Sequence, residues 1–503
     1  MIEQAFYTYI KAVETKFKDG QRQPARKGCS VEWLNKDDHL RALIKQLEDG
    51  HEFSALLEET RSAFRCDDWH SARRASSWTD PVKNFFRRTG YYTNKFAGSD
   101  MPCDLFERYE AAFQRRSVQT TYLAPMEFVE FAKPELKFSG FEIRRFDREE
   151  LEEIIGNGVN RVFYPYAFLD KDTLDALQGY WFVVGRDAEE VRRLGWLTIA
   201  KEDLGWVSLK YTHFPTAIER ALERLVLFDW VKVRKGQYVD PKDVPRCAFN
   251  IPFVIRVDDN YLTSPGSAPD RSKLKSYFKE EHSDTGEVYE DRYVIFDLNE
   301  SRIAAFQQCI RRADKCLRHL GLETEDTHWP FLKVAIGNLI KAFFTDELEQ
   351  LLWHITALDA LLGEKRSTRE PIARRSAAIL GTTEGKKEET LEQFDELYRL
   401  RCDLVHGNQF KKDIHRKQLF EARVMAMRVT ICFVHFLGEI AAGINKESRE
   451  SEVPDREDLL ILLDGKSSNA DQKRLQGFSA TTRQDFQPCP TGPRDFGKWN
   501  CPK

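Results

Sequence analysis

Apolar residues in the N-terminal part of the chain recur at helical spacing. Phe6, Ile10, Val13 and Phe17 form one stripe, and Leu40, Leu43, Ile44 and Leu47 form another. Steps of three and four put each set on one helix face. Residues 1–118 are therefore predicted as a helical region, with a polar, basic break at 20–30. The period then changes. Short apolar runs at 141–143, 180–184, 196–199, 206–209, 231–233 and 253–257 are punctuated by Gly140, Gly185, Gly195, Gly205 and Gly236. This spacing predicts a mixed, mainly β domain over 119–298, interrupted by helices at 149–155 and 216–227. The second of these carries Ile218, Leu222 and Leu225 on one face. Residues 264–291, polar and containing Pro and Gly, read as a linker or long loop.

Helical spacing returns over 299–446. Ile303, Phe306, Ile310, Ala313, Leu317 and Leu320 lie on one stripe, and a second helix covers 331–344. Thr345 is placed to cap a third helix, whose face is Leu348, Leu351, Leu352, Ile355, Leu358 and Leu362 and which Gly363 ends. A shorter helix at 369–380 stops at Gly381, and another runs over 386–406. The last, 414–444, is apolar nearly all round at 431–437 and should be buried. The segment reads as an all-α bundle. The tail, 447–503, is polar and holds Pro454, Pro488, Pro490 and Pro493, with an apolar run only at 459–463. It reads as loosely ordered, with room for one docking helix. The fold class is multidomain α+β.

Composition narrows the function classes. With 41% hydrophobic and 31% charged residues, the chain of 503 residues can bury a core and is not globally disordered. A net charge of -4 excludes a generally basic nucleic-acid coat but permits a local basic patch. The ten cysteines are scattered with no CxxC pair, which argues against a zinc ribbon or a disulfide scaffold and fits reduced thiols in the cytoplasm. The most apolar stretch, 429–444, contains His435 and Glu439 and falls short of the roughly 20 residues that span a bilayer. The N-terminus lacks a basic leader followed by an apolar run. A cytoplasmic protein without membrane contact is expected. No phosphate-binding glycine loop, dinucleotide fingerprint or HExxH stretch occurs, so no metal or cofactor is expected.

Two stretches carry candidate chemistry. Between 61 and 95, basic and aromatic residues interleave: Arg73, Arg74, Arg87 and Arg88 among Trp69, Trp78, Phe85, Phe86, Tyr91 and Tyr92. Those four arginines are candidate RNA contacts, neutralising phosphates while rings stack on bases. The competing reading is a helical domain with its rings in the core and its arginines in solvent.

The second stretch is Leu397-Tyr-Arg-Leu-Arg-Cys-Asp-Leu-Val-His-Gly-Asn408. A stripe through Leu391, Phe394, Tyr398, Arg401 and Val405 puts Arg401 on an apolar helix face, where a cation needs a partner. His406 follows five residues later, at the negative end of the helix dipole. An arginine and a histidine suffice for metal-free RNA cleavage. The 2′-hydroxyl is the nucleophile, the imidazole moves a proton, and the guanidinium holds the phosphate and its developing charge. The products are a 2′,3′-cyclic phosphate and a 5′-hydroxyl. Because one chain supplies one such pair, a two-fold dimer is attractive.

The passage resembles the HEPN superfamily, whose signature is Arg, four to six residues, then His near a helix end. It is most similar to the Apea-like HEPN domains of bacterial anti-phage proteins. The likeness rests on Trp353-His-Ile-Thr-Ala-Leu-Asp-Ala-Leu-Leu-Gly363, on Ile372-Ala-Arg-Arg-Ser-Ala-Ala-Ile-Leu-Gly381 and on the block ending at Gly407. It covers residues 300–446. The resemblance implies a dimeric, metal-independent endoribonuclease of the defence (abortive infection) or toxin type, with Arg401 and His406 catalytic in a cleft between protomers. Cys402 stands where many members have Asn, Asp or Ser, with Asp403 one residue later, and Asp359 stands where this subgroup often has Glu. Asp403 and Asp359 are thus supporting candidates. The implied partners are RNA, a second copy of the chain and a phage or protein trigger, sensed by residues 1–298. The alternative is a non-catalytic HEPN-type adaptor that binds a protein partner or nucleotide.

Overall fold

The computed structural model describes residues 1–21, 32–64, 79–98, 100, 102–115, 117–156, 162–164, 171–190, 214–228, 230, 234–235, 249–258, 260–262, 280–282, 288–290, 295–322, 327–345, 347–364, 369–381, 383–406, 416–443 and 454–465. The fold is mixed α+β, with an antiparallel sheet in the middle of the chain and helices on both sides of it in sequence.

Six helices open the chain: α1 (Ile2–Gln21), α2 (Glu32–Glu48), α3 (His51–Phe64), α4 (Thr79–Arg88), α5 (Tyr91–Phe96) and α6 (Leu105–Gln114). All eight stripe residues read from α1 and α2 are buried. They pack with Phe53, Phe85, Phe86, Tyr91, Tyr92 and Tyr109 in one core. Two of its hydroxyls pair internally, those of Tyr9 and Tyr92 lying 2.6 Å apart, as burial of polar groups favours.

The middle of the chain contains β1 (Ser117–Met126), β2 (Val129–Phe131), β3 (Glu135–Phe138), β4 (Phe141–Arg145), α7 (Arg148–Gly156), α8 (Lys171–Leu177), β5 (Trp181–Glu190), α9 (Thr216–Leu225), β6 (Arg234–Lys235), β7 (Ile255–Asp258), β8 (Glu280–His282), β9 (Val288–Glu290) and β10 (Ile295–Leu298). The main sheet has the order β3-β4-β5-β1-β7 and every pairing in it is antiparallel. Alternation along its strands gives two apolar faces. Tyr122, Ala124, Met126, Ile143, Trp181 and Val183 point to α9 and the C-terminal helices. Leu123, Phe182 and Val184 point to Leu151, Ile155, Leu174 and Leu177 of α7 and α8. Gly185 lets α9 lie close on the sheet, because a Cβ there would meet that of Ala217 at 2.9 Å. Two sequence readings change. β1 starts at 117, so the boundary drawn at 118/119 falls inside a strand. Part of the expected linker over 264–291 is a hairpin of β8 and β9. The expected strands at 196–199, 206–209 and 231–233 lie outside the described residues.

Seven helices follow: α10 (Glu300–His319), α11 (Pro330–Phe344), α12 (Glu347–Leu362), α13 (Arg369–Leu380), α14 (Glu384–Val405), α15 (Arg416–Gly443) and α16 (Arg456–Leu463). Asn299 and Thr383 cap α10 and α14 by accepting from the backbone N–H of Arg302 and Lys386. Thr345, read as a cap for α12, instead closes α11: its hydroxyl donates back to the Lys341 carbonyl at 3.0 Å. α15 packs against α10, α11, α12, α13 and α14. Its segment Gln418–Ala442 is, by length and composition, apolar enough to cross a membrane, longer than the sequence reading allowed, yet 72% of its apolar window is buried inside the protein. The expected stripe on α10 is buried throughout. That stripe shares one core with the sheet: the rings of Phe131, Phe228 and Trp230 pack tilted or edge-on against Phe306.

Candidate functional site

The apolar stripe of α14 is exposed at Leu391, enters the core at Phe394 and leaves it again as the helix runs. Phe394 and Leu397 are buried, Tyr398 and Arg401 are half-buried, Val405 is 52% exposed and His406 is exposed. Arg401 therefore sits at the rim of the bundle, where its charge keeps contact with water. Its guanidinium lies 5.7 Å from the Tyr398 ring centre, within reach of a cation–π attraction. His406 is the C-cap of α14, with its backbone N–H donating to the Cys402 carbonyl at 3.0 Å. Five residues separate it from Arg401, which on a helix is roughly 7.5 Å along the axis and about 140° around it. Asp403 and Cys402 are half-buried between them. Gly407 and Asn408 lie outside the described residues.

Asp359, on the facing helix α12, joins this group. Burial pushes its carboxyl above the ordinary carboxylate range, while the positive charges of Arg401 and Arg456 pull it back down. The carboxylate occupies space that exists only because residue 363 is glycine: a Cβ at Gly363 would lie 2.0 Å from Asp359 Oδ1. Gly363 is not in the left-handed region. It ends α12 by providing room rather than an unusual backbone.

Arg456 was not singled out in the sequence. It opens α16, the one described helix of the tail, and donates to the carbonyls of Ala360 at 2.9 Å, Asp359 at 3.1 Å and Gly363 at 2.6 Å. The Asp359 carbonyl also takes the N–H of Gly363 at 2.9 Å, and the Ala360 and Gly363 carbonyls lie at the helix end, where intrahelical partners run out. α16 is held down by buried Leu459, Leu460, Leu462 and Leu463 and by a capping box between Asp455 and Asp458. Its last contact is Asp464, which accepts from Arg374 at 2.8 Å and from Arg375 at 2.9 and 2.7 Å. A short apolar run opened by an arginine was the signal available in the sequence.

The basic and aromatic stretch near the N-terminus is placed elsewhere. Phe85, Phe86, Tyr91 and Tyr92 are buried core rings, so they offer no stacking surface. Arg88 has a side chain only 4% exposed and donates to Asp258 at 3.1 Å and to the Asn260 carbonyl. Arg87 forks onto the buried Glu48 at 3.0 and 2.6 Å. The expectation that Arg87 and Arg88 present charge to phosphates is therefore corrected: carboxylates inside the protein claim both guanidiniums. Arg73 and Arg74 lie outside the described residues. Neither Arg87 nor Arg88 is placed with Asp359 and Arg401.

Two histidines of the C-terminal helices lie in the interior. His354 and His435 are buried and held neutral, pushed down to about 3 by desolvation, with Arg312 adding to the effect at His435. His435 Nδ1 lies 3.5 Å from the buried Cys316 thiol. His319 and His328 flank a turn whose acids, Glu323, Glu325 and Asp326, lie outside the described residues. Among the described residues no group of three or more His, Cys, Asp and Glu side chains is placed to hold a metal ion. Compared with known proteins, the chain matches no family model, no curated protein and no solved structure.

Chemically, the rim of α12 and α14 offers a solvent-facing imidazole, a half-buried guanidinium and a half-buried carboxylate. The imidazole can take or give a proton, and the guanidinium can bind an anionic oxygen. The carboxylate can hold the guanidinium in place when no anion is bound.

Proposed function

We propose that this protein is a metal-independent endoribonuclease of the HEPN type, an effector of anti-phage defence or toxin action that works as a dimer. The carrying observation is that the core stripe of α14 surfaces at Arg401, beside Asp359, and ends one and a half turns later in exposed His406. In this reading a phosphate of RNA displaces Asp359 as the counter-charge of Arg401. The imidazole of His406 then takes the 2′-hydroxyl proton or protonates the departing 5′-oxygen. The 2′-oxygen attacks the adjacent phosphorus, the P–O5′ bond breaks, the 5′-oxygen leaves with a proton from the imidazolium or from water, and the guanidinium neutralises the extra charge on the phosphorane. Exposure of Val405 beside His406 supports a second chain covering this end of the helix, with RNA between protomers.

The test is cleavage of end-labelled single-stranded RNA in excess EDTA. The wild-type chain should give 2′,3′-cyclic phosphate and 5′-hydroxyl ends. His406→Ala and Arg401→Ala should each lower the rate by a factor on the order of a thousand, and the double variant should be hardly worse, because the two groups act as a unit. Cleavage at the wild-type rate by folded variants rejects the assignment. A folded wild-type dimer that binds RNA without cutting it favours the adaptor reading.

A further inference from the structure

We infer that Arg456, outside the bundle's motif helices, is a positioning residue of the Asp359–Arg401 site: it clamps the last turn of α12 and so fixes the carboxylate that Arg401 faces. The inference rests on the ribonuclease reading for its catalytic meaning, but its structural half is testable alone. The carbonyls of Asp359, Ala360 and Gly363 all accept from the one Arg456 guanidinium. A planar fork can span three such acceptors, whereas an ammonium group is a point donor. The cation also sits at the negative end of the α12 dipole. The Asp359 carboxylate is folded over Gly363 in the same turn. Any unwinding of that turn moves the carboxylate directly.

The charges around Asp359 come from two helices. Arg401 projects from α14 and Arg456 from α16, and both act on the carboxylate. Arg375, from α13, and Glu364, after α12, act in turn on Arg456. Arg401 alone would be drawn into a closed pair with Asp359. Arg456 gives its donors to the three backbone carbonyls and reaches the carboxylate through its charge; in this reading that second cation leaves Arg401 donor capacity for an incoming phosphate. Loss of Arg456 has two consequences. The turn loosens, and Asp359, with one cation fewer, takes up its proton at higher pH.

The experiment compares full-length wild type with Arg456→Met, Arg456→Lys, Asp359→Asn and the Arg456→Met/Asp359→Asn double variant. Initial rates on a labelled single-stranded RNA are followed from acid to neutral pH, and urea midpoints are measured for the same five chains. Arg456→Met should slow cleavage on the order of tenfold or more and move the acid limb of the rate profile to higher pH. Arg456→Lys should restore the position of that limb but not the full rate. In the Asp359→Asn background, Arg456→Met should move no limb, and the two midpoint changes should be non-additive. Additive midpoints, with the acid limb unmoved in Arg456→Met, overturn the inference and leave Arg456 a plain packing contact. If the wild-type chain cuts no RNA, the ribonuclease reading fails while the non-additivity of the urea midpoints still decides the clamp. If Arg456→Met does not fold, Arg456→Lys and Asp359→Asn decide: a full wild-type rate in Arg456→Lys overturns the need for the planar fork.

Discussion

At the residue scale, the two buried imidazoles set how the protein responds to acid. His354 is held neutral down to about 3 by burial alone. An unfolded chain would protonate it near pH 6.5. Between those values the folded state binds fewer protons, so the stability that His354 contributes is complete above the unfolded value and is lost as pH falls toward the folded one. From pH 7.5 to pH 5 the loss should be about 2 kcal/mol for this one group. Urea unfolding of His354→Leu over that range should show a loss smaller by about that amount, and an unchanged pH slope would contradict the burial argument. The sequence made the enclosure of His354 readable, because Leu351, Leu352, Ile355 and Leu358 surround it in helical register. It did not make the seat of Asp359 readable. A glycine at a helix end signals a stop, and only three-dimensional placement shows that the missing methyl is where a carboxylate rests.

At the scale of the element, α16 shows how a short helix in a polar tail is held in place. Arg375 is buried against Asp464, with further bonds to the Leu362 carbonyl at 2.7 Å and to Glu364. Burial pushes the Asp464 carboxyl up, but hydrogen bonds from Arg375 and Arg374 outweigh it and hold it below the usual range. Its stabilising contribution is thus present above the ordinary carboxylate value and fades as pH falls through the lowered one. Asp464→Asn should destabilise the protein by about 3 kcal/mol, since it leaves a buried guanidinium without its main counter-charge. Urea denaturation at neutral pH reads the loss, and faster hydrogen exchange in α16 locates it; a change below measurement error would show that Glu364 alone suffices. Helices α10 to α15 were legible because each buries a stripe with a 3.6-residue period. The tail was less so, because eight residues give only two turns of signal and the charges that fix them are distant in sequence. The strand β1 was missed for a related reason: it is buried on both faces over its second half, which removes the alternation that announces a strand.

For the molecule as a whole, three predicted regions form a different set of cores. The sheet and the C-terminal helices are continuous through Phe306, whereas the N-terminal helices keep a core of their own. Composition and spacing report what each segment does locally; they carry no record of which segments share an interior. The two parts are joined by buried polar bonds, above all Arg88 to Asp258, and by Asn84, whose amide donates to the Leu262 carbonyl at 3.1 Å. Arg88→Met should cost about 3 kcal/mol by leaving Asp258 with a poorer share of buried positive charge. Hydrogen exchange should rise first in α4 and β7, and any RNA affinity should keep its salt dependence, because this arginine meets no phosphate. A flattened salt slope in the folded variant would restore it as a nucleic-acid contact. β1 passes through all of this: Val118 belongs to the N-terminal core, Leu123 to the α7–α8 face and Met126 to the core shared with the bundle. Extended backbone has almost no slack, and every residue of this strand is laddered to β5. β1 therefore behaves as a tie rod. A pull on the N-terminal helices loads the ladder lengthwise, so that its bonds share the force and must give way together.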